Sequence, residues 1–224
     1  MDRWKQYRKL REKEAWVVDD ELLRRLPQVP AGNPHAAEWG IRGRSLDRFL
    51  RYLRRNLSPE SRILDLGSGN GWISHALSLQ GYHVLGLEPG TEDLDQARRV
   101  FGEGERLQWL QGDLQALPRS YGFDLILMAA SVQYFPSLEE LCRDLDSRLH
   151  PGGSIHILDS VLYPHSQVES ARQRSRDYYE SLGFAEMAGY YHHHSQQGAR
   201  RLGFRKLWPI WPFSEGLQWW ARTP

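Results

Sequence analysis

The stretch ILDLGSGNGW, residues 63–72, decides how this chain folds. Four residues that suit a buried strand, 63–66, lead directly into glycines at positions 67, 69 and 71, and a helical pattern begins at Trp72. Glycine at such a turn allows backbone conformations closed to other residues and leaves no side chain between main chain and ligand. Free N–H groups at the start of a helix can also donate to an anionic group. The stretch therefore predicts a strand, a ligand-binding turn and a helix.

The segments on either side of this turn alternate between strand and helix patterns. Short apolar runs predict strands at 62–66, 83–88, 107–111, 123–128 and 154–158. Helical patterns lie at about 72–80, 91–101 and 137–149, and the tail from Phe204 to Thr223 could supply two more strands. This alternation predicts an α/β fold with a doubly wound, mostly parallel open sheet of seven strands. We expect helices on both faces of the sheet and an antiparallel last strand.

The two ends of this pattern suggest the domain organisation. Residues 1–25 carry dense mixed charge, and residues 27–43 hold three prolines and three glycines, which predict a loop. We expect residues 1–43 to form a helical and loop extension that contributes to a lid. Residues 44–224 are expected to form the main domain, with the polar and aromatic segment at about 160–195 inserted as a substrate lid.

Two acidic residues follow the next two strands of the pattern. Glu88 ends the second strand, and Asp113 comes just after the third. Because the C-terminal ends of adjacent strands in a doubly wound sheet face one crevice, both carboxylates are expected near the glycine turn. Glu88 could accept hydrogen bonds from both hydroxyls of a ribose, and Asp113 from the exocyclic amine of a purine. Taken alone, each acid would also suit a helix cap or a turn.

In this order, these features resemble the class I S-adenosylmethionine-dependent methyltransferases over residues 57–159. The matching motifs are DLGSGNG (65–71), VLGLEPG (84–90), QGDLQALP (111–118), FDLILMAASVQYF (123–135) and RLHPGGSIHI (148–157). The resemblance implies that S-adenosyl-L-methionine binds with its methionine end on the glycine turn. It places the ribose on Glu88, the adenine beside Asp113 and Leu114, and the floor of the site at Ala129 and Ala130. The cofactor-binding residues that it implies are Asp65, which supports the turn, and Gly67, Ser68, Gly69, Gly71, Glu88, Pro89, Asp113, Leu114, Ala129 and Ala130.

Three other classes of protein share parts of this pattern. A Rossmann oxidoreductase that binds NAD needs a third glycine one position after Gly71, where helix and strand pack closely, and that position holds Trp72. A P-loop protein is excluded because the chain has no GK[ST] element. A non-catalytic methyltransferase-like domain stays open, because binding motifs alone do not demonstrate turnover.

The segments expected to form the acceptor site are rich in aromatic residues and histidines. The resemblance implies a pocket built from the N-terminal segment, the loop after the fourth strand and the insertion after the fifth. Tyr134 and the run His192, His193 and His194 are the candidate catalytic residues. No metal is expected, because three consecutive histidines make a poor single-metal site. The alternatives are that the histidines lie in a solvated loop and that the aromatic residues only pack the lid.

The overall composition limits the range of partners. The chain has 224 residues with a formal net charge of +1, so no global field attracts it to nucleic acid or to a membrane surface. The single cysteine, Cys142, cannot form an internal disulfide and suggests a reducing compartment. The N-terminus is charged, and no run reaches the ~20 apolar residues of a membrane span. We expect a cytoplasmic protein with a small-molecule methyl acceptor and no membrane or nucleic-acid partner; the sequence is silent on oligomeric state.

Overall fold

The glycine turn follows the central strand of a seven-stranded sheet. The computed structural model describes residues 3–208 and 217–223. The strands are β1 (Arg62–Leu66), β2 (His83–Glu88), β3 (Leu107–Gln111), β4 (Phe123–Ala129), β5 (Leu149–Ser160), β6 (Arg205–Trp208) and β7 (Gln218–Arg222). They are ordered β3-β2-β1-β4-β5-β7-β6. Strands β1 to β5 are parallel, whereas β7 is antiparallel to β5 and β6, which confirms the predicted fold class.

Helices cover both faces of this sheet. They are α1 (Arg3–Lys13), α2 (Asp20–Arg25), α3 (Ala36–Asn56), α4 (Trp72–Ser78), α5 (Thr91–Phe101), α6 (Leu138–Asp146), α7 (Val168–Ser181) and α8 (Gln196–Arg201). Helices α3, α4 and α5 bury residues in one core, and α6 and α8 bury residues in the other. None of the helices in the described ranges is both long enough and apolar enough to cross a bilayer.

Two hydrophobic cores form because successive residues of the central strands point to opposite faces. Ile63 of β1 belongs to the core under α3–α5, and its neighbour Leu64 belongs to the core on the other face. Leu125 and Ile126 of β4 divide in the same way. Burial of each such side chain contributes about 1.5–3 kcal/mol. This two-sided burial explains why these strands read as continuous apolar runs in the sequence.

The prediction of a loop over residues 27–43 is wrong for its second half. Helix α3 begins at Ala36 and passes without a break through residues 43 and 44, where we expected the main domain to begin. Gly43 has a packing reason to lie within the helix, since a β-carbon there would come within 3.0 Å of the Pro27 ring. One of the glycines that suggested a loop, Gly43, therefore allows the preceding chain to pack closely against the helix.

Two further elements differ from the sequence prediction. The fifth strand was expected at 154–158, but β5 begins at Leu149, and Phe123 of β4 pairs with Leu149 while Leu125 pairs with Ser154. The Pro-Gly-Gly sequence at 151–153 thus forms an irregularity inside a long strand. The segment 160–195 contains α7, a helix of 14 residues that no strong apolar periodicity announced.

The strand order fixes where a ligand can bind. It reverses between β1 and β4, and in open α/β sheets the crevice at the C-terminal ends of such strands is the ligand-binding position. The turn at residues 67–71 and the residues after β4 lie at this crevice.

Candidate functional site

The turn after β1 bends through three glycines with left-handed backbone torsions. The φ angles are 76° at Gly67, 54° at Gly69 and 78° at Gly71. The amide of Gly67 donates to the carbonyl of Leu87 over 2.8 Å, which ties the turn to the end of β2. A β-carbon at Gly69 would meet no protein atom within 4 Å, and Gly69 lines a cavity. Main chain alone therefore forms this part of the cavity wall.

The surroundings of Gly71 are different. A β-carbon there would lie 2.3 Å from the Trp109 ring, so this glycine is required for packing of the turn against β3. Gly71 does not line the cavity, whereas Gly67 does, although a β-carbon at Gly67 would come 2.6 Å from that of Ser131. The turn thus meets two requirements. Gly67 and Gly71 allow close packing against other residues, and Gly69 leaves space in the cavity for a ligand.

Glu88 supports the turn from the end of β2. Its Oε2 accepts a hydrogen bond from the Gly69 amide at 2.8 Å, and its Oε1 accepts one from the Gly90 amide at 2.7 Å. Burial raises the pKa of Glu88 to about 7, and the two amide hydrogen bonds act in the opposite direction. Glu88 also lines the cavity. A carboxylate oxygen can accept more than one hydrogen bond, so Glu88 keeps capacity for a ligand hydroxyl.

Asp65 lies beneath the turn and does not line the cavity. Its Oδ2 accepts a hydrogen bond from the Ser74 hydroxyl at 2.6 Å, which links β1 to α4. The residue is 1 % exposed, and burial raises its pKa to about 6. Ser68 is also buried and lies outside the cavity wall, as does Ala129.

The cavity beside the turn, called here the first cavity, has a volume of about 360 Å³. This lies within the range of pockets that hold small molecules and cofactors. Of the other residues predicted to bind cofactor, its lining includes Pro89, Asp113, Leu114 and Ala130. The Oδ1 of Asp113 accepts a hydrogen bond from the Gln115 amide at 2.9 Å, which fixes the loop after β3. Residues from the ends of β1, β2, β3 and β4 therefore meet at one cavity.

Helix α1 covers this cavity. The sequence motifs did not predict which residues of the helix contact it. Arg8 forms a salt bridge of 2.6 Å with Asp93 of α5, and Asp93 is itself part of the cavity wall. The rings of Tyr7 and Tyr134 pack edge to face with centroids 5.3 Å apart, and Trp4 packs against Tyr134 at 6.4 Å. Tyr134, a candidate catalytic residue, is thus held in the cavity wall by aromatic contacts with α1.

The histidine run lies outside the first cavity. The amide of His192 donates to the Gln133 carbonyl at 2.7 Å, and His194 Nε2 lies 3.0 Å from the Val132 carbonyl. His193 Nε2 lies 2.9 Å from the hydroxyl of Ser175 on α7, and burial together with nearby Arg172 lowers the pKa of His193 to about 4. The run therefore joins the segment after α7 to the loop after β4. In the described residues, no three His, Cys, Asp or Glu side chains are arranged to hold a metal ion.

A second cavity of about 280 Å³ lies next to the first. Ala130 lines both. The walls of the second cavity come from α1, α3, the end of β5 and the segment that carries α7, and they include Arg11, Arg42, Asp159, Tyr163, Tyr191 and His192. His192 is thus the one member of the histidine run that reaches this cavity.

Sequence reasoning missed two acids at these cavities. Asp93 reads as a helix-capping acid in the first turn of α5, and nothing in its spacing indicates that it binds Arg8. Asp159 reads as an ordinary acid that ends a strand. The only available signal was its position, since it lies at the C-terminal end of β5, at the same edge of the sheet as the glycine turn.

A comparison with protein families matches residues 63–153 to a model described as "Methyltransferase domain". Among curated relatives, a malonyl-[acyl-carrier protein] O-methyltransferase from Enterobacter lignolyticus is 34 % identical over 94 residues, covering 42 % of this chain and 36 % of the relative. A ubiquinone biosynthesis O-methyltransferase from Aeromonas salmonicida is 29 % identical over 99 residues, covering 43 % of this chain and 42 % of the relative. The chain thus spans less than half the length of these relatives.

Solved structures resemble a larger part of the chain. The magnesium protoporphyrin IX methyltransferase of Synechocystis, with bound SAH, matches with a TM-score of 0.61 at 16 % identity, covering 89 % of this chain and 91 % of that one. The plantazolicin methyltransferase BpumL matches with a TM-score of 0.57 at 17 % identity, covering 87 % and 90 %. At such identities the likeness concerns the fold.

The fold, with its cavity at the switch point of the sheet, is similar to that of these methyltransferase structures. Residues 63–153 are the part of the chain that matches the methyltransferase family model.

Proposed function

We propose that this protein is an S-adenosyl-L-methionine-dependent methyltransferase that acts on a small-molecule acceptor. One observation carries the proposal: the open main chain at Gly69, the carboxylate of Glu88 and the loop at Asp113 and Leu114 line a single cavity of about 360 Å³. The names of the O-methyltransferase relatives support methyl transfer as the reaction. The cytoplasmic location expected from the sequence is part of the proposal, supported by the lone, buried Cys142 thiol.

The residues of the first cavity fit a nucleoside with an amino-acid arm. The space that a side chain at Gly69 would fill is left to the ligand. In this proposal Glu88 accepts the ribose hydroxyls, Asp113 and Leu114 flank the adenine, and the turn from Gly67 to Gly69 faces the methionine end. Four of the predicted residues do not line the cavity and in this proposal hold the turn and β4 in place: Asp65, Ser68, Gly71 and Ala129.

When bound, S-adenosyl-L-methionine supplies a methyl group activated by a positively charged sulfur. The protein contributes alignment of the two reactants and exclusion of water, and alignment alone can be worth about 7–11 kcal/mol. Helix α1 contributes to the exclusion of water because it places Trp4 and Tyr7 over the cavity. We propose that Tyr134 contacts the reacting groups, since it lines the cavity between α1 and Ala130.

The three histidines take different parts in this proposal. His192 faces the second cavity, where an acceptor would bind, and is retained as a candidate contact to it. His193 and His194 make hydrogen-bond contacts to Ser175 and Val132 that favour a role in holding the lid segment. Replacement of each by alanine in an assay with a known acceptor would test this division.

An NAD-dependent oxidoreductase is less compatible with the turn. Trp72 occupies the position where that class needs its third glycine, and its ring packs edge to face on Trp39 at 5.5 Å. The Trp72 side chain therefore belongs to the hydrophobic core, and it fills the position that a glycine would leave open in that class.

Calorimetric titration with S-adenosylhomocysteine and with NAD tests the proposal. We expect wild-type protein to bind the first and not the second, and Glu88→Ala to weaken binding of S-adenosylhomocysteine by about tenfold or more, because hydrogen bonds to a charged group are lost. The control Glu92→Ala changes an exposed acid on α5 and should bind like wild type. Binding of NAD in place of S-adenosylhomocysteine would overturn the assignment. Binding of the nucleoside without methyl transfer to any acceptor would favour a non-catalytic binding domain.

A further inference from the structure

The second cavity contains an acidic group whose bonding is incomplete. Asp159 follows the apolar part of β5, is 4 % exposed and lines this cavity. Its Oδ2 is fully buried and has no hydrogen-bond partner in the described parts of the chain. Because most buried polar atoms in proteins are paired, such an oxygen needs an explanation.

The backbone of Asp159 turns where β5 is irregular. Its φ is +54°, in the left-handed region that aspartate enters more readily than most residues with a β-carbon. The register of β5 against β7 shifts between Leu158 and Ser160, on either side of this residue. The irregularity of the strand accounts for the torsion, and the unpaired oxygen is the feature that a ligand would explain.

The other charges of the second cavity are already compensated. Arg11 pairs with Glu14 at 2.8 Å, and Arg42 pairs with Glu38 at 2.8 Å. Glu14 also accepts a hydrogen bond from the Tyr178 hydroxyl at 2.6 Å. The carboxylate of Asp159 is therefore the group with capacity left for a ligand.

Asp159 lies beside the wall that both cavities share. Ala129 of β4 pairs with Leu158 of β5, and the amide of Ala130 donates to the carbonyl of Leu158 at 2.8 Å. Neighbouring strands are about 4.8 Å apart, so Ala130 and Asp159 are adjacent at the C-terminal edge of the sheet. A molecule in the second cavity can therefore contact Asp159 and lie next to Ala130, which also lines the first cavity.

We propose that the second cavity is the acceptor site, that it takes a small ring-bearing molecule with a free O–H, and that Asp159 is the catalytic residue that accepts the hydroxyl proton. This inference rests on the proposed function, which places the methyl donor in the first cavity. In the transfer, the acceptor oxygen forms the bond to the methyl carbon, and the carbon–sulfur bond breaks with its electron pair left on sulfur. The hydroxyl proton passes to the Asp159 carboxylate.

The lining of the cavity favours a ring. Trp16, Tyr163, Tyr179 and Tyr191 all contribute to its walls. The rings of Tyr179 and Tyr191 pack against each other with centroids 5.9 Å apart, which holds them as a rigid surface. Aromatic side chains pair favourably with other rings in offset or edge-to-face geometry.

The charges favour a hydroxyl over a carboxylate as the accepting group. A carboxylate acceptor is already ionised and needs no base, but it does need a cation, and both arginines of the cavity are bound to glutamates. Burial raises the pKa of Asp159 to about 6, while Ser45 and Arg42 lower it and Glu38 raises it. The carboxyl group is thus ionised at pH 7.5 and remains able to take up a proton.

Binding to the complex with S-adenosylhomocysteine is the first test. Catechol is the hydroxyl probe and benzoate the carboxylate probe, both measured by calorimetry at pH 7.5. We expect wild type to bind catechol more tightly than benzoate, and Asp159→Asn to weaken catechol binding by about tenfold. Asp177→Asn, which removes an exposed acid on α7, is the matched control and should behave like wild type.

Methyl transfer is the second test. With methyl-tritiated S-adenosyl-L-methionine and catechol, we expect Asp159→Asn to lower kcat by about 10²- to 10⁴-fold, the usual contribution of a general base. The variant should keep its affinity for S-adenosylhomocysteine, which shows that it is folded. Preference for benzoate, absence of catechol binding, or unchanged turnover in Asp159→Asn would overturn the inference. If the wild type does not bind S-adenosylhomocysteine at all, the proposed function itself fails.

Discussion

Gly69 and Gly71 are two residues apart and share a left-handed backbone, but their surroundings differ. The side-chain direction of Gly71 is filled by Trp109, and that of Gly69 is open. A sequence motif represents both as the same letter. At the residue scale, the motif therefore combines a requirement of folding with a requirement of binding, and substitutions can separate the two.

Alanine should mainly reduce stability at position 71 and mainly weaken ligand binding at position 69. Gly71→Ala would force a β-carbon to within 2.3 Å of Trp109, and we expect it to lower the free energy of unfolding by about 2–4 kcal/mol. Gly69→Ala bears only the torsional cost of about 1 kcal/mol, but its methyl group enters the cavity and should weaken binding of S-adenosylhomocysteine about tenfold. Urea unfolding and calorimetry on both variants provide the two readouts. Equal loss of stability would show that the two positions do not differ.

The pKa of Glu88 predicts a pH dependence of nucleoside binding. Burial raises this pKa to about 7, so in the free protein a large part of the carboxyl groups is protonated at pH 6. Only the ionised form accepts hydrogen bonds with both oxygens, so affinity should rise as pH increases through 7 and level off near pH 8.

Calorimetry with S-adenosylhomocysteine from pH 5.5 to 8.5 checks this expectation. The variant Glu88→Gln keeps the size of the side chain but does not titrate, so it should lose this pH dependence. The same dependence in both proteins would assign it to the ligand or to another group.

At the scale of the element, α1 is attached to the rest of the protein mainly by polar and aromatic side-chain contacts that are partly exposed. Leu10 is its one fully buried residue within the described part of the chain. The salt bridge from Arg8 to Asp93 joins the helix to α5 at the edge of the first cavity, and both side chains are 20 % exposed. An element held in this way can open and close at low energetic cost.

Removal of the Arg8 charge should loosen this cover. We expect Arg8→Met to lower the free energy of unfolding by about 1 kcal/mol or less, as for a partly exposed ion pair, and to accelerate release of S-adenosylhomocysteine several-fold. Stopped-flow displacement measures the release rate. Glu12→Ala is the control, because it removes the other partner of Arg8, at 3.3 Å on the same helix, and leaves the contact to α5 intact. An unchanged release rate in Arg8→Met would mean that α1 does not retain the ligand.

At the scale of the whole molecule, the strand order places β1 and β4 in the middle of the sheet, each paired on both sides. Their backbone amides should therefore exchange with deuterium most slowly. Exchange should be fastest in α1 and α7, since α7 has only Ala171 and Tyr179 fully buried among its described residues. Mass spectrometry of exchanged peptides would check this, and S-adenosylhomocysteine should slow exchange in α1. Equal protection of α7 and β1 would contradict the prediction.

The parts that could be predicted from the sequence are those in which local pattern and long-range packing agree. Strands β1, β2 and β3 begin and end at the predicted residues, because they are short, apolar and bounded by turn residues. Glu88 and Asp113 could be assigned to one crevice because parallel strands end at the same edge.

The remaining features depend on contacts between distant segments. Pro27 packs closely against Gly43 of α3, and Arg8 of α1 pairs with Asp93 of α5. The Oδ2 of Asp159 is unpaired because no hydrogen-bond donor among the described residues reaches it. Contacts between distant segments cannot be deduced from the spacing of residues in the sequence.

Ala130 has a left-handed backbone, with φ at +52°, and its side chain is the smallest that still has a β-carbon. Since Ala130 lines both cavities, its methyl group lies between the proposed donor site and the proposed acceptor site. Evolution or engineering could thus tune the reach of the acceptor by exchanging alanine for serine or glycine at this position. Neither the recognition of the nucleoside nor that of the ring would need to change.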